Sequence, residues 1–105
     1  MVNGWIGVDL DGTLAHYIGW VGAEHIGDPI PLMMENVKRW LQEGREIKIF
    51  TARACVPEQI PPIKAWLIKH GLPDLEITNV KDFGMIALYD DRCVQVRTNT
   101  GILVI

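Results

Sequence analysis

The chain has little of what several protein classes require. Its two cysteines, Cys55 and Cys93, are far apart and lack metal-site spacing, so buried thiols in a reducing compartment are expected. No apolar run approaches the roughly 20 residues that a transmembrane helix needs. The first residues also lack the basic and then apolar segments of a secretory leader. These absences predict a soluble, cytoplasmic protein with no membrane partner.

An excess of positive charge is also missing. The net charge of −3 offers no electrostatic reason for binding a nucleic-acid duplex, although a substrate the size of a nucleotide is compatible with it. No glycine-rich P-loop or dinucleotide-binding motif occurs. Hydrophobic residues make up 49% of the 105 residues, which excludes disorder and predicts one domain, 1–105, with one core.

Strand-like and helix-like segments alternate along the chain. Short apolar runs predict strands at 5–10, 46–51, 75–78 and 85–89, with one or two edge strands at 95–96 and 102–105. Two helices are predicted between these strands, one from residues 29–31 to Gly44 and one from residues 60–62 to Gly71. This alternation predicts a mainly parallel, Rossmann-like sheet in a three-layer α/β/α sandwich.

Residues 15–31 form an insert rich in glycine and aromatic residues, without clear periodicity. The composition predicts a tight turn followed by a loop or a short hairpin. Tyr17, Trp20 and His25 lie on this insert. They either contact the leaving group of a substrate or pack the loop down, and the sequence leaves both alternatives open.

Two acidic residues follow the first predicted strand in the segment Asp9-Leu10-Asp11-Gly12-Thr13. Alternate residues of a strand share a side, and the carboxyl ends of parallel strands border the ligand-binding crevice of α/β sheets. Gly12 lets the backbone turn sharply. The acids could instead form a turn and a helix N-cap, but two carboxylates after a buried run are costly without a cation, a shared proton or a basic neighbour.

Further polar residues lie at or near the carboxyl ends of other predicted strands. Thr51 ends the second strand, Lys81 precedes the fourth, and Asp90 and Asp91 follow it. Because these ends share one edge of a parallel sheet, we expect the residues to converge on Asp9. Lys81 could instead be an ordinary solvated lysine, and the two adjacent acids could open a β-turn.

In these positions the sequence resembles the haloacid dehalogenase (HAD) superfamily of aspartyl-phosphate phosphotransferases. The segment from Asp9 to Thr13 resembles the motif D-x-D-x-T, and Thr51 after an apolar strand resembles the second motif. Lys81 resembles the third motif and Asp90-Asp91 the fourth. The motifs occur in order and cover nearly the whole chain. The resemblance implies a HAD-like fold and a phosphomonoester hydrolase.

The resemblance also implies roles for these residues. Asp9 would be the nucleophile that forms an aspartyl-phosphate, and Asp11 the general acid and then the general base. Thr51, through its hydroxyl and backbone N–H, and Lys81 would hold the phosphoryl oxygens. Gly12 and Thr13 would shape the loop at the substrate, with Thr13 orienting Asp11 by a hydrogen bond.

A Mg²⁺ ion is the implied cofactor, because this ion prefers oxygen ligands and is usually held by one or two carboxylates plus phosphate. Its ligands would be the Asp9 carboxylate, the Asp11 backbone carbonyl and one acid of the last pair. We favour Asp91 as the direct ligand and Asp90 as a partner of Lys81 or of a metal-bound water.

Two arginines adjoin the motifs. Arg53 and Arg92 are candidate contacts to the substrate anion, and surface ion pairs are the alternative.

A separate cap domain, frequent in the superfamily, is not expected, because residues 15–31 are too few for a helical cap and residues 52–80 are filled by helix and strand. The open site predicts either a large substrate or a homo-oligomer in which a neighbour covers the cleft. The expected substrate is a phosphomonoester such as a nucleotide, a sugar phosphate or a phosphorylated macromolecule end. The alternative is an idle or regulatory domain that binds phosphate or metal. A receiver-type signalling domain would carry its acids in a different order.

Overall fold

A four-stranded parallel sheet forms the centre of the fold. The computed structural model describes residues 3–105, so residues 1–2 of the predicted domain lie outside the described residues. The sheet strands and the two helices follow the predicted alternation: β1 Trp5–Val8, α1 Pro31–Gln42, β2 Glu46–Phe50, α2 Ile60–Lys69, β3 Glu76–Thr78 and β4 Met85–Tyr89. The sheet order is β3-β2-β1-β4, with every pair parallel. The predicted α/β class and parallel sheet are confirmed.

Both helices begin and end where their sequences dictate. Pro31 occupies the first turn of α1 after Ile30, which is extended, and Gly44 follows the helix with a φ of +80°. Prolines also occupy the first turn of α2, and Gly71 follows that helix with a φ of +81°. A glycine adopts this left-handed conformation without the steric cost that a side chain brings.

Both helices pack on the same face of the sheet. Ile47 and Ile49 of β2 lie in one buried cluster with Val37 of α1 and with Ile63 and Leu67 of α2. The strand order explains this arrangement, because the steps from β1 to β2 and from β2 to β3 run in the same direction. Two right-handed crossovers in one direction place their helices on one side. The predicted third layer is therefore not confirmed for residues 3–105.

The opposite face of the sheet is covered by its own side chains. The rings of Trp5 and Phe50 stack with centroids 6.4 Å apart, and the Lys48 ammonium lies 4.5 Å from the Trp5 ring. A Cβ on Gly7 would lie about 3.2 Å from the Trp5 ring, so the absence of a side chain there lets the indole lie flat on the sheet. A large aromatic group thus shields a face that no helix of the described chain covers.

Three further features differ from the predictions. Cys55 and Cys93, which were expected to be buried, are both exposed. Residues after Thr51 form two short 3₁₀ helices, Ala52–Cys55 and Pro57–Gln59, before α2 begins. The predicted edge strands exist as β5 Gln95–Val96 and β6 Leu103–Val104, but they pair with each other as a separate antiparallel sheet. Across residues 3–105, no helix has the length and apolar character needed to span a membrane.

Candidate active site

Asp9 lies at the carboxyl end of β1, between the two neighbouring strands β2 and β4. Its backbone N–H donates to the carbonyl of Tyr89, 2.9 Å away, which continues the pairing of β1 with β4 for one residue. Asp90 and Asp91 follow β4 directly, so parallel pairing brings them to the same edge of the sheet. One carboxylate oxygen from each of these three residues lies within 4.8 Å of the others. We refer to Asp9, Asp90 and Asp91 as the acid cluster.

A tight turn after β1 holds this cluster together. The Leu10 carbonyl accepts hydrogen bonds from the backbone N–H groups of Thr13, Leu14 and Ala15. The buried Thr13 hydroxyl consequently lies 3.2 Å from Asp9 Oδ2 and 3.2 Å from Asp91 Oδ1. It also accepts a hydrogen bond from the Asp91 backbone N–H at 3.0 Å. Thr13 therefore joins the two ends of the acid cluster, whereas the predicted hydrogen bond to Asp11 is not formed.

Gly12 is required by the same turn. Its φ is +91°, and a Cβ at this position would lie 2.6 Å from Asp91 Oδ2. Only glycine lets the turn approach the Asp91 carboxylate this closely. In the structure, the contribution of Gly12 to the loop is the space that it leaves for the Asp91 carboxylate.

The acid cluster has no cation among its hydrogen-bond and ion-pair partners in residues 3–105. Burial of the Asp9 side chain, together with the negative charge of Asp90, raises the pKa of Asp9 to about 7. The protein without a cation therefore holds Asp9 partly protonated at neutral pH. Three carboxylates this close need positive charge in order to ionise together, and they offer only oxygen ligands.

Asp11 has the opposite environment. Arg53 Nε lies 2.8 Å from Asp11 Oδ2 and Arg53 Nη2 lies 2.9 Å from Asp11 Oδ1, which is a bidentate ion pair. The arginine side chain is only 5% exposed, and the aspartate 19%. Asp11 therefore has the basic neighbour that the crowded acids were predicted to require.

Arg53 also fixes the insert 15–31. Its Nη1 donates to the Ala23 carbonyl at 3.1 Å, and its Nη2 donates to the His25 carbonyl at 3.0 Å. Its guanidinium carbon lies 4.8 Å from the centre of the Trp20 ring. These contacts and Asp11 use four of the five N–H donors of the guanidinium group, so the ion pair of Arg53 is a buried one and not a surface pair. Arg53 still lines the cavity, so its use as an anion contact stays a prediction. Arg53 connects the second strand, the insert and Asp11.

Thr51 is buried and lines the cavity that these residues surround. Its backbone N–H donates to the Thr78 carbonyl at 2.9 Å, and its hydroxyl oxygen accepts from the Arg53 N–H at 3.2 Å. The N–H is thus engaged in extending the β2–β3 pairing, contrary to its predicted use for phosphate. The hydroxyl proton of Thr51 is still available to donate.

The structure places the two remaining predicted cations differently. Lys81 is exposed, forms no salt bridge with a carboxylate of the described chain, and does not line the cavity. Arg92 lines the cavity, beside the acid cluster. The structure therefore brings six of the predicted site residues together around one cleft: Asp9, Asp11, Thr51, Arg53, Asp90 and Asp91. Gly12 and Thr13 lie against Asp91 from the turn without lining this cleft, and Lys81 lies outside it, where Arg92 is a lining cation.

The cavity has a volume of about 530 Å³, within the usual range for small-molecule sites. The acid cluster and Asp11 form its floor, and the insert forms one wall through Tyr17 and Trp20. Its lining also includes residues that were not predicted: Phe50, Ala52, Cys55, Val56, Gln59 and Asn79. Asn79 directly follows β3. It therefore lies at the same carboxyl edge of the parallel sheet as Thr51 and Asp90, and the same argument from strand ends would have identified it.

No family model and no curated protein matches the chain. Among solved structures, the chain is similar to one described as a conserved protein from Bacteroides thetaiotaomicron. The TM-score is 0.68 with 22% sequence identity, over 88% of this chain and 78% of that one. This likeness shows the α/β fold and carries no information on activity.

Proposed function

We propose that this chain is a Mg²⁺-dependent phosphomonoester hydrolase of the HAD type, which acts through an aspartyl-phosphate on Asp9. The observation that supports the proposal most strongly is the arrangement at the end of the central strand. The acid cluster meets there around Asp9, while Asp11, two residues further on, is held separately by Arg53. Two carboxylates with distinct environments suit the distinct roles of nucleophile and proton carrier.

The donor set fits a magnesium ion. Asp9, Asp91 and the backbone carbonyl of Asp11 would hold it, and all three offer the oxygen ligands that Mg²⁺ prefers. The ion would supply the positive charge that keeps Asp9 ionised and that offsets the charge of the phosphoryl group.

In the proposed reaction, an Asp9 carboxylate oxygen forms a bond to phosphorus while the bond from phosphorus to the leaving oxygen breaks. Asp11 donates its proton to that oxygen, so the alcohol leaves neutral. Asp11 then takes a proton from a water molecule whose oxygen attacks the phosphoryl group. Inorganic phosphate is released and the Asp9 carboxylate is regenerated. Asp11 has both oxygens bound to Arg53, so it must leave that pair to carry the proton.

The decisive experiment measures hydrolysis of p-nitrophenyl phosphate with Mg²⁺. Asp9→Asn removes the nucleophile, so turnover should fall to background, whereas Asp74→Asn changes an exposed carboxylate far from the site and should retain activity. EDTA should abolish turnover and added Mg²⁺ should restore it. Full activity of Asp9→Asn, or of the EDTA-treated protein, contradicts the proposal.

A second candidate is an idle domain that binds metal or phosphate without turnover. The bidentate pair of Asp11 with Arg53 favours it, because both carboxylate oxygens are bound to the guanidinium group and neither faces a leaving group. Calorimetric titration with Mg²⁺ and the hydrolysis assay together separate the two candidates, because both bind the ion and only one turns substrate over. Binding of Mg²⁺ without hydrolysis of any phosphomonoester supports the idle domain.

A further inference from the structure

The insert presents two large aromatic side chains beside the catalytic carboxylates. Trp20 is 54% exposed and Tyr17 is 45% exposed, yet both line the cavity that contains Asp9 and Asp11. Exposed aromatic surface at a cleft marks a place where a ligand is bound. The sequence left open whether these residues pack the loop or contact the leaving group, and this exposure favours contact.

Trp20 is held in place before any ligand binds. The Arg53 guanidinium lies against its ring, and that arginine is itself fixed by Asp11 and by two carbonyls of the insert. The base of the insert is fixed as well, since the His16 N–H donates to the Asp28 carbonyl and the Ile30 N–H to the Leu14 carbonyl, both at 2.8 Å. A rigid aromatic platform loses little conformational entropy on binding.

The cavity also offers groups that complement the edge of a heterocycle. The side-chain amides of Gln59 and Asn79 line it, and each can donate and accept hydrogen bonds. Its charges limit the number of phosphates, because four carboxylates face only Arg53 and Arg92. Even with a divalent cation, no excess positive charge is left for a second or third phosphoryl group.

We propose that the substrate is a nucleoside monophosphate whose base stacks on the aromatic wall formed by Trp20 and Tyr17. This inference rests on the proposed phosphatase function. The phosphoryl group lies at the acid cluster, and the nucleoside is the leaving group.

The test compares kcat/KM for adenosine monophosphate, glycerol phosphate and phenyl phosphate with Mg²⁺. Adenosine monophosphate should be preferred over glycerol phosphate by at least about tenfold, because stacking of a base on an aromatic side chain has this effect. Trp20→Ala should remove most of that preference and Trp20→Phe should keep it. Phe83→Ala removes a fully exposed aromatic residue outside the cavity. It should leave kcat/KM unchanged for adenosine monophosphate and for glycerol phosphate.

The outcomes separate the two proposals. Hydrolysis of adenosine monophosphate and glycerol phosphate with equal kcat/KM overturns the nucleotide inference and leaves the phosphatase intact. A loss of kcat/KM in Trp20→Ala that is as large for phenyl phosphate as for adenosine monophosphate also overturns it, because the wall then recognises a simple ring. If none of the three compounds is hydrolysed and p-nitrophenyl phosphate is not hydrolysed either, the phosphatase proposal itself fails. Calorimetry with adenosine gives a readout independent of turnover, and Trp20→Ala should weaken that binding as well.

Discussion

Asp9 and Asp11 are separated by one residue, but they lie in contrasting parts of the cleft. Asp9 belongs to the acid cluster, where Asp90 and Asp91 add negative charge and its pKa rises to about 7. Asp11 lies on the side where Arg53 neutralises it in a buried bidentate pair. The segment D-x-D thus supplies two similar carboxylates, and neighbours from distant parts of the chain make them chemically different.

The largest loss of stability is expected when the ion pair between Asp11 and Arg53 is broken. Arg53→Met leaves Asp11 without its partner and also removes the hydrogen bonds to two carbonyls of the insert. We expect the free energy of unfolding to fall by about 3–5 kcal/mol, the usual cost of removing one member of a buried ion pair. Chemical denaturation measures this loss.

Lys64→Met is the matched control for Arg53→Met, because Lys64 pairs with the exposed Asp74 at the surface. We expect this change to cost less than about 1 kcal/mol. Equal losses in the two variants would show that the Asp11–Arg53 pair contributes no more than a surface pair.

The acid cluster can be disturbed through Gly12. Gly12→Ala and Gly44→Ala both place a side chain at a positive φ, so each should cost about 1–2 kcal/mol of stability. A Cβ meets the Asp91 carboxylate only at residue 12, while the space around residue 44 is open. Calorimetry should therefore find Mg²⁺ affinity reduced about tenfold or more in Gly12→Ala alone. Equal Mg²⁺ affinities in the two variants would contradict the proposal that Asp91 holds the metal ion.

The raised pKa of Asp9 predicts how stability depends on pH without metal. Between its ordinary pKa of 3.8 and its folded pKa of about 7, the folded state binds more protons than the unfolded state. The free energy of unfolding should therefore fall as pH rises through this window. Asp9→Asn removes that slope, and above pH 7 it should be more stable than the wild type by about 1–2 kcal/mol. This gain is smaller than the full pKa shift would give, because solvent screens the half-buried carboxylate.

Thermal unfolding at pH 5 and pH 8 in EDTA measures the Asp9 effect. Glu35→Gln changes an exposed carboxylate of α1. The difference in its melting temperature between pH 5 and pH 8 should be the same as in the wild type. If stability changes with pH in the same way in Asp9→Asn and in the wild type, the raised pKa of Asp9 is contradicted.

The smallest expected effect concerns the Thr13 hydroxyl, which joins the ends of the acid cluster. Thr13→Val keeps the shape of the side chain but leaves the Asp91 N–H without its acceptor. We expect a loss of about 1 kcal/mol, measured by denaturation, because one hydrogen bond is removed at a partly buried position. Thr13→Ser retains the hydroxyl and should retain that hydrogen bond, so a loss confined to Thr13→Ser would contradict this role.

Local signals were sufficient for much of the fold. Pro31 with Gly44, and the prolines of α2 with Gly71, bounded the helices because these residues have few backbone options. The convergence of Asp9, Thr51, Asp90 and Asp91 was also predictable, since parallel strands share one carboxyl edge. Long-range pairing was not predictable in the same way. The sequence left Arg53 between an anion contact and a surface ion pair, and it did not indicate the buried pair with Asp11, 42 residues away.

By itself, the sequence determined the elements, the parallel sheet and the edge at which its acids gather, because strand periodicity and turn residues act over short distances. Only the tertiary structure decided that both helices share one face, that Lys81 lies outside the cavity, and that Arg53 joins Asp11 to the insert. These features depend on strand order and on which side chains meet across the cleft. Both are set by packing between distant segments, which no local pattern of residues records.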